Sequence, residues 1–305
     1  MDAEGLIVLI NAIKCANVEQ ALFVNWMLDF SEGFPDCLFK LIFHMPCKKC
    51  GPGAGENTFP YSRCVQFWPV ASVGDNISAE NSSWTFGGDV PKSFDAHVSK
   101  SVPLYAEGHE IIAKVSDYFV QDGSTIYDLG CSTGELLRKI GERHAGKDIR
   151  LIGVDRVEGM LEVAREKCKE DPRIQFECAE LLEFEMQPAD FVFAYYTVQF
   201  VRPAFRQDVI NRIWKGLQWG GAFLMFEKVR GPDARFQDIL TGLYNDYKLE
   251  QGYSSEEIIG KARSLKGVLE PFSTAGNMDL LQRAGFKDCM TIMRYLNFEG
   301  TLAIK

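Results

Sequence analysis

No stretch of this sequence reaches the roughly 18 consecutive apolar residues that a membrane-spanning helix needs, so no membrane span is expected. Basic charge is in short supply. The 33 Lys and Arg are outnumbered by 42 Asp and Glu, for a net charge of −9. A broad nucleic-acid face needs clustered cations against phosphates, so direct DNA binding is not expected either. Internal repeats and low-complexity tracts are missing. Cysteine is not scarce, at 9, but the set is odd and scattered over positions 15, 37, 47, 50, 64, 131, 168, 178 and 289. That excludes a secreted disulfide framework and fits a reducing compartment. The opening residues carry acids and their apolar run stops at Asn11, unlike a secretion signal, so a cytoplasmic protein is expected. What is present is ordinary globular composition, 46% apolar and 25% charged, and enough chain for one large domain with a smaller module.

The text changes character near residue 80. Residues 1–80 read as an extension of unknown role, partly helical over 5–45 and loop-rich over 46–83. From Thr125 onward, short apolar runs alternate with amphipathic stretches. Strands are predicted at Thr125–Leu129, Arg150–Asp155, Ile174–Glu177, Phe191–Tyr195 and Ala222–Phe226. Helices are predicted from Gly134 to about Arg143, over 158–169 and over 204–217, and one long helical stretch over 232–266. Two antiparallel strands around Asn297-Phe298-Glu299-Gly300 close the chain. Strands alternating with helices predict a doubly wound α/β sheet, mostly parallel, occupying residues 81–305.

Asp128-Leu129-Gly130-Cys131-Ser132-Thr133-Gly134 carries the strongest chemical signal. It follows a strand and opens a helix, the place where open α/β sheets bind ligands. Glycines let the backbone approach a ligand closely, and the helix N-terminus offers free N–H groups. The next strand ends in Asp155, an acid placed for a ribose diol. Together these form an adenosine-binding pattern.

With an acid heading the loop and D-x-G-C-x-x-G in place of G-x-G-x-x-G, the stretch resembles motif I of the class I S-adenosylmethionine (SAM)-dependent methyltransferases. The resemblance implies a Rossmann-like, seven-stranded sheet with helices on both faces. A closer likeness lies in the flanks: Trp84-Thr85-Phe86, Ser101-Val102-Pro103-Leu104-Tyr105, Thr197-Val198-Gln199-Phe200, Gly220-Gly221, Phe226-Glu227-Lys228, Asp246-Tyr247-Lys248, Gly252-Tyr253-Ser254 and Asn297-Phe298-Glu299-Gly300. Over 84–305 the chain is similar to the carboxy-SAM synthase family, which acts in wobble-uridine modification of bacterial tRNA. That resemblance implies SAM or carboxy-SAM as ligand, prephenate as carboxyl donor, and a homodimer. It implies that Tyr105 contacts the ligand carboxylate and that Gly130, Cys131 and Ser132 line the methionine end, with Asp128 and Gly134 in the same motif. Asp155 would hold the ribose hydroxyls with Arg156 beside it.

The chain departs from the family at three places. Ala179 stands where the family Asp takes the adenine amino group, with Glu180 next to it; Tyr195 stands for an Asn; and Ala262 stands for the Arg that clamps the extra carboxylate. Arg263, one place along, is the candidate replacement. Tyr195 and Tyr196 are candidates to face the acceptor, with Gln199 near them. His97, His109 and Glu227 are candidate bases. His144, just before Gly146, reads as a helix-end residue whose cationic form would suit the dipole. His44, Cys47, Cys50 and Cys64 have zinc-like spacing, but one C-x-x-C is a weak signal and no metal is expected. The leading expectation is a SAM-dependent methyltransferase acting on a small molecule or nucleoside. The alternatives are a carboxy-SAM synthase and a non-catalytic SAM-binding scaffold.

Overall fold

The computed structural model describes residues 71–305, apart from 75, 76 and 89. The expected helices of 5–45 and the His44, Cys47, Cys50 and Cys64 set lie outside the described residues. Two short antiparallel strands come first, β1 (Ala71–Ser72) and β2 (Ser78–Ala79). Val73 and Ile77, between them, are buried with Trp84, Val90 and Met160. This stretch therefore packs with the domain, although the sequence reading placed it in the extension.

Two helices the periodicity did not reveal follow, α1 (Val90–Ser101) and α2 (Tyr105–Ser116). The alternating region then runs β3 (Thr125–Leu129), α3 (Glu135–Arg143), β4 (Arg150–Asp155), α4 (Glu158–Cys168), β5 (Ile174–Cys178), β6 (Ala189–Tyr195), α5 (Arg206–Gly216) and β7 (Leu217–Lys228). The apolar runs became strands because both their faces are covered: every residue of β3 is buried, and β6 is nearly so.

The stretch expected to be one helix over 232–266 is two, α6 (Ala234–Glu250) and α7 (Ser255–Ser264). Gly252 turns the chain at φ +88°, a left-handed conformation that ends a helix. Ser254 then starts α7 with a reciprocal cap: its hydroxyl accepts from the Glu257 N–H, and the Glu257 carboxylate accepts from the Ser254 N–H. A further helix, α8 (Thr274–Ala284), precedes β8 (Asp288–Tyr295) and β9 (Phe298–Ile304).

The seven long strands form one sheet in the order β5-β4-β3-β6-β7-β9-β8. β9 pairs antiparallel with both β7 and β8, so it alone runs against the rest. One apolar layer lies on each face. Phe191, Phe193, Leu224 and Phe226 point to one, with α2 and α3; Val192, Ala194, Phe223 and Met225 point to the other, with α5 and α8. The strand order reverses between β3 and β6, and a crevice opens at the carboxyl ends of those strands.

Candidate active site

The crevice leads into a cavity of about 680 Å³, within the range of about 300–1,000 Å³ usual for small-molecule sites. Its floor is the loop after β3. Gly130 and Cys131 donate their N–H groups to the Val154 carbonyl at 2.7 and 3.1 Å, which ties the loop to β4. Gly130 sits at φ +80°, and a Cβ there would overlap the Thr197 side chain beyond β6. Only glycine lets the two strand ends approach this closely. Ser132 follows at φ 48°, an uncommon conformation for a residue with a side chain. Its N–H donates to Asp155 Oδ2 at 3.0 Å, while Asp155 Oδ1 accepts from Val157 at 2.9 Å.

Two carboxyl groups stand together here. Asp128 is 2% exposed, and burial, reinforced by the nearby Asp155 charge, pushes its pKa well up. Burial also raises Asp155, although its hydrogen bonds from Val157 and Ser132 pull the other way. An acidic floor of this kind favours a cationic ligand, and SAM carries a sulfonium and an ammonium. The donor set thus fits that cofactor: acids for its cations, and the N–H groups of the first turn of α3.

The expected residues converge. Tyr105, Asp128, Gly130, Cys131, Ser132, Asp155, Arg156, Ala179, Glu180, Tyr195 and Tyr196 all line the cavity. Gly134 does not; it is the N-cap of α3 at φ 73°, behind the loop. Arg263 does not either. It is exposed on α7, and the cation that α7 sends to the wall is Lys261, beside His97 and 5.3 Å from the Trp84 ring. Arg263 as the replacement clamp is therefore corrected: on a helix, residues two apart point about 200° apart.

Of the candidate bases, His97 and His109 line the cavity; Glu227, a buried residue of β7, does not. His109 packs on the rings of Tyr105 and Tyr195 at 4.6 and 4.8 Å. Burial and the Lys139 charge hold its pKa down to about 3, so it is neutral and adds no positive charge beside a sulfonium. His144 caps α3 as expected, but burial and neighbouring cations lower its pKa, and its ring meets the Ser116 hydroxyl at 2.8 Å.

Two site residues are not singled out by the sequence, Lys228 standing there only within the Phe226-Glu227-Lys228 stretch. Lys228 lines the cavity at the end of β7. Arg206 is fully buried on α5 and holds the loop after β6, donating to the Gln199 and Val201 carbonyls at 2.8 Å each. Nothing in a single sequence separates that arginine from the exposed ones around it. Helix α1, the roof, is fastened to the floor by Asp95, which accepts from Thr133 at 2.5 Å and from Lys167 at 2.6 Å.

Residues 126–221 match the methyltransferase domain family. An O-methyltransferase family protein from Burkholderia thailandensis has a similar structure, with a TM-score of 0.52 at 16% identity over 71% of this chain and 59% of that one. Domain match and fold therefore place the chain in the class I methyltransferase fold. Two curated relatives narrow this further. A carboxy-S-adenosyl-L-methionine synthase of Staphylococcus epidermidis is 35% identical over 73% of this chain and 97% of its own length. That of Campylobacter lari is 37% identical over 72% and 94%. The chain belongs to the carboxy-SAM synthase family, and its ligand is SAM or carboxy-SAM.

Proposed function

We propose that the protein is a carboxy-SAM synthase: prephenate gives up its ring carboxylate as carbon dioxide and its ring hydroxyl, which leaves as water with the proton lost from the SAM methyl carbon, so that phenylpyruvate remains and the methyl carbon bonds the carbon dioxide to form carboxy-SAM for wobble-uridine modification of tRNA. The observation that carries this reading is similarity along nearly the whole length of synthase relatives, joined to a cavity that gathers Tyr105, the Gly130–Ser132 loop and Asp155. On this reading Tyr105 and the loop hold the methionine end, and Asp155 accepts from the ribose hydroxyls. Leu182 and Ala179 flank the adenine, with Glu180 taking its amino group. Replacing a methyl hydrogen by a carboxylate adds a negative charge beside the sulfonium. Lys261 supplies the cation for it, in place of the arginine that Ala262 removes.

The test has two parts. The small molecule that co-purifies is released by denaturation and identified by mass spectrometry. Purified protein is then given SAM and prephenate, and carboxy-SAM is measured. Carboxy-SAM in both parts supports the reading, and Lys261→Ala is then expected to weaken carboxy-SAM but not SAM. Bound SAM with no carboxy-SAM formed from prephenate would overturn it and leave a methyltransferase whose acceptor is to be sought.

A further inference from the structure

One end of the cavity lies beyond the expected SAM contacts. The nucleotide reading uses the ends of β3, β4 and β5. On the other side of the switch point the ends of β6, β7 and β9 meet, and they bring together Tyr196, Lys228 and Phe298, all on the cavity wall. The ladder fixes this meeting. Lys228 is paired with Phe298 across the antiparallel β7–β9 register. Tyr196 donates its N–H to the Phe226 carbonyl at 2.9 Å, which sets it beside β7.

Two polar groups at this end have no protein acceptor or counter-charge among the described residues. The Tyr196 hydroxyl is buried and makes no hydrogen bond. Its residue is held at φ 60°, a strained conformation that such folds keep at binding sites. The Lys228 ammonium lies 4.3 Å from the Tyr244 ring centroid and 5.7 Å from that of Phe298. No carboxylate pairs with it. Lys248 sits 4.5 Å from the same Tyr244 ring. Burial, with the charges of Lys248 and Lys266, holds the Lys228 pKa down to about 7. A local concentration of positive charge in a protein of net charge −9 is a cost unless an anion relieves it.

We infer that the Lys228 ammonium and the Tyr196 hydroxyl form a subsite for a carboxylate of the second substrate, with the rings of Tyr244 and Phe298 as walls for the cyclic body that carries it. This deepens the reading of the preceding section and rests on it for the position of SAM. An ammonium and a phenol can both donate to one carboxylate, and charge-assisted bonds of this kind are the stronger ones. The aromatic walls suit a ring-bearing acid better than a phosphate.

The experiment is calorimetric titration of prephenate into full-length protein saturated with S-adenosylhomocysteine, which has no methyl group to react, for wild type, Lys228→Met, Lys228→Arg and Tyr196→Phe, with melting temperatures as a check on folding. Lys228→Met is expected to weaken prephenate about tenfold, Tyr196→Phe several-fold, and Lys228→Arg little, with SAM affinity unchanged in all three. Unchanged prephenate affinity in Lys228→Met and Tyr196→Phe would overturn the subsite, and so would a parallel loss of SAM. Should Lys228→Met not fold, Tyr196→Phe decides. Carboxy-SAM formation is measured on the same proteins with SAM and prephenate, to separate the two ideas. Wild type that binds prephenate without making carboxy-SAM overturns the synthase reading and keeps the subsite. Wild type that makes carboxy-SAM with a prephenate dependence untouched by the variants does the reverse. Wild type that neither binds nor reacts overturns both.

Discussion

Asp128 shows what a ligand-binding floor costs the protein that carries it. Its carboxyl is buried with Asp155 near it, and its pKa is raised well above the ordinary value. The folded state therefore holds its proton to higher pH than the unfolded chain does. Above the ordinary aspartate range of about 3.9 the unfolded state releases the proton first, so this group makes stability fall as pH rises. A bound sulfonium and ammonium reverse the preference, because a cation favours the ionised carboxylate. SAM binding should then weaken as pH falls through the raised pKa and release protons in that range, seen as a buffer-dependent calorimetric enthalpy. Asp128→Asn should raise the melting temperature of the ligand-free protein, lower SAM affinity about tenfold and flatten its pH dependence. A variant that loses affinity but keeps the wild-type pH profile would assign the titration elsewhere. The floor's identity was legible in the sequence, since the Asp-x-Gly loop after a strand is a local pattern. The neutral state of His109 and the unpaired hydroxyl of Tyr196 were not, because burial by distant segments creates both.

At the scale of elements, the strands were legible and the roof was not. Thr125–Leu129 and Phe191–Tyr195 are covered on both faces, and an apolar run bounded by glycine or polar residues reports that directly. β7 runs longer than its apolar heart: of Leu217–Gly221 only Leu217 pairs with β6, and a register shift separates it from the Ala222 pair. Helices α1 and α2 are polar on much of their surface, so periodicity alone did not announce them. The merging of α6 and α7 into one helix came from reading helical composition through Gly252 and missing the cap at Ser254. That cap predicts a measurable effect. Ser254→Ala should lower stability by about 1 kcal/mol, with a similar cost for Glu257→Ala and less than the sum for both together. Because α7 carries Lys261 to the wall, the same variants should weaken carboxy-SAM more than they weaken SAM. Chemical denaturation and ligand titration of the three variants check both statements, and additive costs would reject the reciprocal cap.

The described domain is a sheet whose best-packed elements present a site that other segments complete. Fold class followed from the alternation of elements, and the family from short stretches spread over the domain. The placement of the clamp did not follow, because a gapless alignment supplies neighbours in sequence and the helix decides which of them faces the ligand. If SAM is the ligand of the folded state alone, then SAM at 100 times its Kd should add about 2.7 kcal/mol of stability. For a domain of this size that is a rise of roughly 5–10 °C in melting temperature. Scanning fluorimetry with and without SAM measures it, and an unshifted transition would remove SAM as the ligand. Among the described residues no helix is long and apolar enough to cross a membrane.

The lone reversed strand has a consequence for how the chain is made. β9 follows β8 in the chain, yet it sits inside the sheet between β7 and β8, and its Phe298 forms part of the cavity wall. On the ribosome the floor of the site, β3 to β6, emerges long before the strand that closes it. A nascent chain therefore shows an acidic loop and an open sheet edge at β7 until Phe298–Ile304 is free to pair. Ligand can rescue only a molecule that has β9 in place, and a chain that lacks Phe298–Ile304 loses wall, edge and binding together.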